Sequence, residues 1–186
     1  MNIIKEWLRE NRACNSGVKW FLSQNETDAA KIMLKLIECG RPEDSHWIMQ
    51  KLITTKKQAV MIAVFAAECV LDIFEKKYPD DKRPRKAIDT AKEWIENPCI
   101  KTKDATAAAY ATYATAADAA ASASAAAAAA YAAYATAAYA TAATAAAAAD
   151  AAADAAADAA ADATADAAKK GIQLKIANYT IKVLGL

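Results

Sequence analysis

The sequence predicts an all-α protein, a compact multi-helix bundle whose C-terminal half is made of close-packed alanine-rich helices. Two observations carry this. From Ala105 to Ala168 the chain is alanine interrupted only by Tyr, Thr, Ser and Asp, with no Gly or Pro, and alanine has the best helix propensity of any residue. Through the first hundred residues, apolar side chains recur at helical spacing between recognisable breakers. A chain of 186 residues fits a single helical domain over 1–186, with amphipathic helices in 1–103, alanine-rich helices in 104–170 and a C-terminal helix in 171–186.

The elements follow in order. Residues from about Ile3 to Ala13 read as a first helix with Ile4, Trp7 and Leu8 on one face, ended by Asn15-Ser-Gly17. A short segment with Val18, Trp20, Phe21 and Leu22 follows. Thr27 or Asn25 is placed to cap the next helix, in which Ala30, Met33, Leu34 and Ile37 recur until Gly40 stops it. Pro42 opens a helix carrying Trp47, Ile48 and Leu52, because early helical positions lack intrahelical amide partners anyway. Residues 57–76 are apolar nearly all round, which places that helix at the centre. Its polar stripe is Glu68, Asp72 and Glu75, within about 60° of one another at 100° per residue. After the turn at Tyr78, Asp80 or Asp81 is placed to cap a helix with Ala87, Ile88, Ala91, Trp94 and Ile95, ended by Asn97-Pro98.

Methyl side chains bury little area, and at about 25 cal/mol per Å² the alanine helices gain stability only by very close approach. An unbroken helix to Lys170 would run roughly 100 Å at 1.5 Å per residue, so the tract is expected to fold back, at Ser122-Ala-Ser124 or Thr141-Ala-Ala-Thr144. Gly171 is expected to separate it from a final helix with Ile172, Ile176, Tyr179 and Val183.

The net charge of +1 hides an asymmetry: residues 1–103 carry +4, residues 104–168 carry −7 and the last eighteen +4. Asp150, Asp154, Asp158, Asp162 and Asp166 recur every four residues and sweep about 160° of helix surface. That makes either a solvated acidic face or a docking face for a cationic protein partner. Spacing of this kind on a straight helix forms no metal cage, and no metal is expected. Cys14, Cys39, Cys69 and Cys99 lie far apart among apolar neighbours and read as reduced, buried side chains. Charges in Met1-Asn-Ile-Ile-Lys-Glu-Trp7 do not suit a secretion signal, so a cytoplasmic location is expected. The stretch from Asp118 to Asp150 carries no charge between its ends, but without Leu, Ile, Val or Phe it is too weakly apolar for a membrane role.

Tyr110, Tyr113, Tyr131, Tyr134 and Tyr139 are the large side chains of the tract, suited to filling gaps between close helices. Tyr131 and Tyr134, with Arg83 and Arg85 of the basic turn, are also where an anion or a nucleotide would be met. The same turn is placed to pair with Glu68, Asp72 and Glu75, and nucleic-acid binding is not expected from so small a patch. His46 is the sole histidine, and no phosphate loop or identifiable nucleophile with its base occurs. No catalytic residue and no cofactor are therefore expected. Leftover alanine faces leave a homodimer open.

Ala13-Cys-Asn-Ser-Gly-Val-Lys-Trp-Phe21, the Trp47 segment and above all Phe65 to Ile88, including Tyr78-Pro-Asp-Asp-Lys-Arg-Pro-Arg-Lys-Ala-Ile88, resemble the immunity protein five-like family. The resemblance implies an all-helical intracellular protein that neutralises a toxin by binding it, with no catalytic or ligand motif to carry over. Similar proteins occur on bacteriophage genomes. The alternative it implies is therefore an anti-defence protein aimed at a host factor, such as an anti-CRISPR or a sequesterer of a signalling nucleotide.

Overall fold

A computed structural model describes residues 1–97 and 162–186. The bends expected in the alanine tract, its five tyrosines, Cys99 and the aspartates Asp150, Asp154 and Asp158 lie outside the described residues. Within them the chain forms seven helices and no strand: α1 (Lys5–Glu10), α2 (Asn15–Leu22), α3 (Ala29–Glu38), α4 (Pro42–Leu52), α5 (Lys56–Lys77), α6 (Arg83–Glu96) and α7 (Asp162–Leu184). The all-α expectation holds.

The N-terminus is tied down before the first helix begins. Ile3 N donates to Thr27 O at 2.7 Å and Ala29 N to Met1 O at 2.9 Å, a single antiparallel bridge that buries Ile3 completely. Thr27, expected as a cap, lies one residue ahead of the position that caps α3. The N-cap is Asp28, whose carboxylate accepts from Lys31 N at 3.0 Å, and Glu26 braces the entry by accepting from the amides of Thr27 and Asp28. Those two amide bonds, Asp28's first, hold the Glu26 carboxyl below its usual range. The exit of α3 is a Schellman turn: Gly40, at φ 72°, donates to Ile37 O and Arg41 N donates to Leu36 O.

Three further boundaries differ from expectation, each for a local reason. Asn15-Ser-Gly17 is the first turn of α2 rather than a break, because the Cys14 sulfur takes the N-cap role and accepts from Gly17 N. α6 begins at Arg83 with Lys82 as N-cap, not at Asp80 or Asp81, since Pro84 costs least in a first turn, where its missing N–H has no partner to lose. Gly171 does not interrupt the chain: α7 runs straight through it, its mid-helix penalty of about 1 kcal/mol outweighed by burial of Ile172 and Ile176 on the next turns. The cysteines also differ, for Cys14 and Cys39 are exposed and Cys69 is half-buried, all three as free thiols.

Packing follows the apolar faces. α3 pairs with α4, α5 pairs with α6, and α7 lies against α5, α3 and α4. The expectation that α5 is central is met, since Ala59, Val60, Ile62, Ala63, Val64, Ala66, Ala67, Val70 and Leu71 are all buried. α6 adds Ala87, Ile88, Ala91 and Trp94. α7 is anchored by Ile172 and Ile176, by stacking of Tyr179 on Phe65 with centroids 4.0 Å apart, and by the buried Thr180 hydroxyl donating to Met49 sulfur at 3.4 Å. Lys170 Nζ donates to Glu38 O at 3.1 Å, placing a cation on the carbonyl end of α3 where the helix dipole favours it.

The two glycines make opposite predictions. Nothing lies within 4 Å of a Cβ added at Gly171, so Gly171→Ala stabilises by about 0.5–1 kcal/mol and raises Tm by a few degrees. Gly40→Ala forces a side chain into the left-handed region and destabilises by about 1 kcal/mol. Thermal and urea unfolding read both; shifts of the same sign would contradict this assignment.

Candidate binding cleft

α1 to α4 enclose a half-open cavity of about 210 Å³. Its walls are apolar, with Leu8 from α1, Trp20 and Phe21 from α2, Ile32 and Leu36 from α3, and Trp47 and Ile48 from α4; Arg12, Cys14, Gly17, Glu43 and Asp44 form the rim. The two indoles are held from behind. Trp47 packs edge-on against Trp7 with centroids 5.7 Å apart, Lys51 Nζ sits 5.8 Å from the Trp47 ring, and Arg41 lies 5.7 Å from that of Trp20. The same Arg41 reaches Asp44 Oδ2 through Nε at 2.6 Å and Nη2 at 2.5 Å, which neutralises that carboxylate.

The rim owes its shape to the α1–α2 turn. Arg12 N donates to Arg9 O and Ala13 N to Leu8 O, a second Schellman closure, and here the left-handed residue is Arg12 at φ 60° in place of the usual Gly. Next to it Cys14 Sγ lies 3.2 Å from the Ser16 hydroxyl and 3.3 Å from Gly17 N. Those two hydrogen bonds, Ser16's first, bring the thiol below its usual 9.0. Gly17 packs closely here, since a Cβ would meet Cys14 Sγ at 3.3 Å, close enough that the sulfur would have to shift slightly.

Of the candidate site residues read from sequence, Arg85 is the one whose side chain is described, and it lies outside this cleft. Asp162 opens α7 and Asp166 follows one turn later, but their side chains, like that of Arg83, lie outside the described residues. So do Asp150, Asp154, Asp158, Tyr131 and Tyr134. Arg85 is exposed on α6 and forks onto Glu75 with both N···O distances 2.6 Å, while Lys92 pairs with Glu68. These two pairs step in opposite directions along α5 and α6, the lacing expected of an antiparallel hairpin between the basic turn and the acidic stripe. The Arg85 guanidinium holds the Glu75 carboxyl below its usual range. Elsewhere on this side, burial raises the Tyr179 hydroxyl and the Cys69 thiol and lowers the Lys56 ammonium, which rests 4.8 Å from the Trp94 ring. Among the described residues no three His, Cys, Asp or Glu side chains gather to hold a metal, and no helix is long and apolar enough to cross a membrane.

Residues 51–142 match the family model described as "Imm-5 like putative immunity protein". The chain is similar to this family over that stretch, which takes in the resemblance read from Phe65 to Ile88; Ala13–Phe21 and Trp47 lie N-terminal to it. No curated protein and no solved structure matches the chain.

Two measurements check the electrostatics. The Cys14 alkylation rate rises with pH about a midpoint below 9.0, and Ser16→Ala moves that midpoint upward by removing the first stabilising bond; an unmoved midpoint would contradict the assignment. Because the folded-state pKa of Glu75 is depressed, its pairing stabilises fully above the unfolded carboxylate value of 4.5 and is lost as pH falls through the lowered value. Glu75→Gln therefore lowers Tm slightly at neutral pH and makes no difference at pH about 2.

Proposed function

We propose that this chain is a non-catalytic immunity protein that neutralises a toxin by stoichiometric protein–protein binding, within one helical domain spanning 1–186. The observation that carries the reading is the family match over 51–142. It is supported by an apolar, aromatic-walled cleft, the kind of pocket in which an interface concentrates its binding energy. The acidic series Asp150, Asp154, Asp158, Asp162 and Asp166 adds a second surface, suited to a basic partner.

Co-expression tests this directly. Each gene beside that of this chain is induced alone and together with it. The expected result is one product that arrests growth alone, is tolerated with this chain and co-elutes with it in a fixed ratio. Changing Asp154, Asp158 and Asp162 to Lys weakens that complex at least about tenfold, or about 1.4 kcal/mol. Neighbours that are harmless, or a toxin left active at full complex formation, would sink the immunity reading and favour the anti-defence alternative; unchanged affinity would remove only the acidic face.

A further inference from the structure

The geometry points to the α1–α4 cleft as the seat of a partner protein's anchor, a single aromatic side chain with a carboxylate beside it. This rests on the immunity reading for what the partner is, but the cleft's chemistry stands by itself.

Size selects the anchor. A cavity of about 210 Å³ exceeds the roughly 150 Å³ that admits benzene, so a phenyl group fits. Walls of Leu8, Trp20, Phe21, Leu36, Trp47 and Ile48 offer apolar surface and ring faces. The ring nitrogens of a nucleobase would be left without partners there, at a cost of a few kcal/mol each, which disfavours a nucleotide.

Charge selects the flank. Asp44 is already neutralised by Arg41. On the α1–α2 side of the mouth Arg12 is exposed on the rim. Exposed Lys5, Arg9 and Glu6 line a neighbouring depression that meets the cleft at Ala13, so the three cations face one carboxylate. Glu43, the one rim carboxylate without an ion pair among the described residues, stands on the opposite, α4 side. The net basic α1–α2 lip suits an acidic neighbour of the anchor. Arg12 stands there at positive φ, a position where Gly would be less strained, so the chain tolerates backbone strain to keep a guanidinium at the lip.

Cys14 on the rim reports occupancy, and the exposed Cys39, outside the cleft, is the control. The full chain is alkylated with iodoacetamide and each site followed by mass spectrometry, in the presence of N-acetyl-Asp-Phe amide, N-acetyl-Lys-Phe amide or AMP. At ten times its Kd the Asp-Phe probe slows Cys14 about tenfold while Cys39 is unchanged, since only the empty cleft reacts. The Lys-Phe probe protects severalfold less. Arg12→Gly melts at higher temperature than wild type yet loses the distinction between the two peptides, a pairing of effects that a purely structural Arg12 would not produce. No protection by the Asp-Phe probe, stronger protection by Lys-Phe, or stronger protection by AMP each overturns the assignment. In a neutralising toxin complex, a Cys14 that stays as reactive as in the free chain refutes the cleft while the immunity reading stands. A cleft that binds the probe in a chain that neutralises nothing refutes the reading and leaves the pocket.

Discussion

The docking of α7 is the constraint on which the rest depends. α3 and α4 form one hairpin and α5 and α6 another, and the two meet chiefly through this last helix. Its contacts differ in kind along its length: a cation on the end of α3, two buried isoleucines, an aromatic stack on α5 and a hydroxyl on the Met49 sulfur of α4. The isoleucines supply most of the free energy, about 1.5–3 kcal/mol each for full burial. The polar contacts contribute less, but they set the register, because sliding the helix by one turn would leave Thr180 buried without a partner. A shared seam of this kind makes the two hairpins cooperative, and the cleft inherits its rigidity through α3 and α4.

Much of this was legible in the sequence wherever burial dictated it. The apolar circumference of residues 57–76 predicted the central helix, and the acidic stripe opposite a basic turn predicted the lacing of α5 to α6. Both are short-range consequences of helical periodicity. Boundaries were legible only where one residue had one use. Gly40 stops α3 because glycine adopts the left-handed conformation at least cost, whereas Thr27, a fair cap by type, lies one residue ahead of Asp28, which caps the helix. Gly171 misled for the converse reason: a helix breaker by propensity, it is overridden when the flanking turn is anchored in the core.

The cleft was not legible. Trp20, Phe21 and Trp47 are ordinary core residues by spacing, and only the meeting of four helices leaves a gap between them. Nothing in an Arg at position 12 announces a positive φ. The sole hint was its place between the end of α1 and Cys14, where a Gly would have been routine. Exposed Cys14 likewise escaped a reading based on apolar neighbours, since those neighbours wall the cleft instead of covering the thiol.

The laced hairpin of α5 and α6 and the cleft of α1 to α4 are separate parts of the described fold. The segment matched by the family description begins at Lys51 and takes in α5 and α6, two of whose cations are already matched with carboxylates: Arg85 with Glu75, and Lys92 with Glu68. Charges so engaged, and solvent-exposed, add little to affinity for a third party, because a partner must first displace an existing ion pair. The cleft lies on α1 to α4, its lining residues ahead of that segment, and combines an apolar, aromatic interior with Arg12 at positive φ on its lip. An interface gains most where apolar surface is fully desolvated and a charge awaits its counterpart. On that physical ground, the apolar cleft of α1 to α4 offers a partner more than the paired charges of the α5–α6 hairpin do.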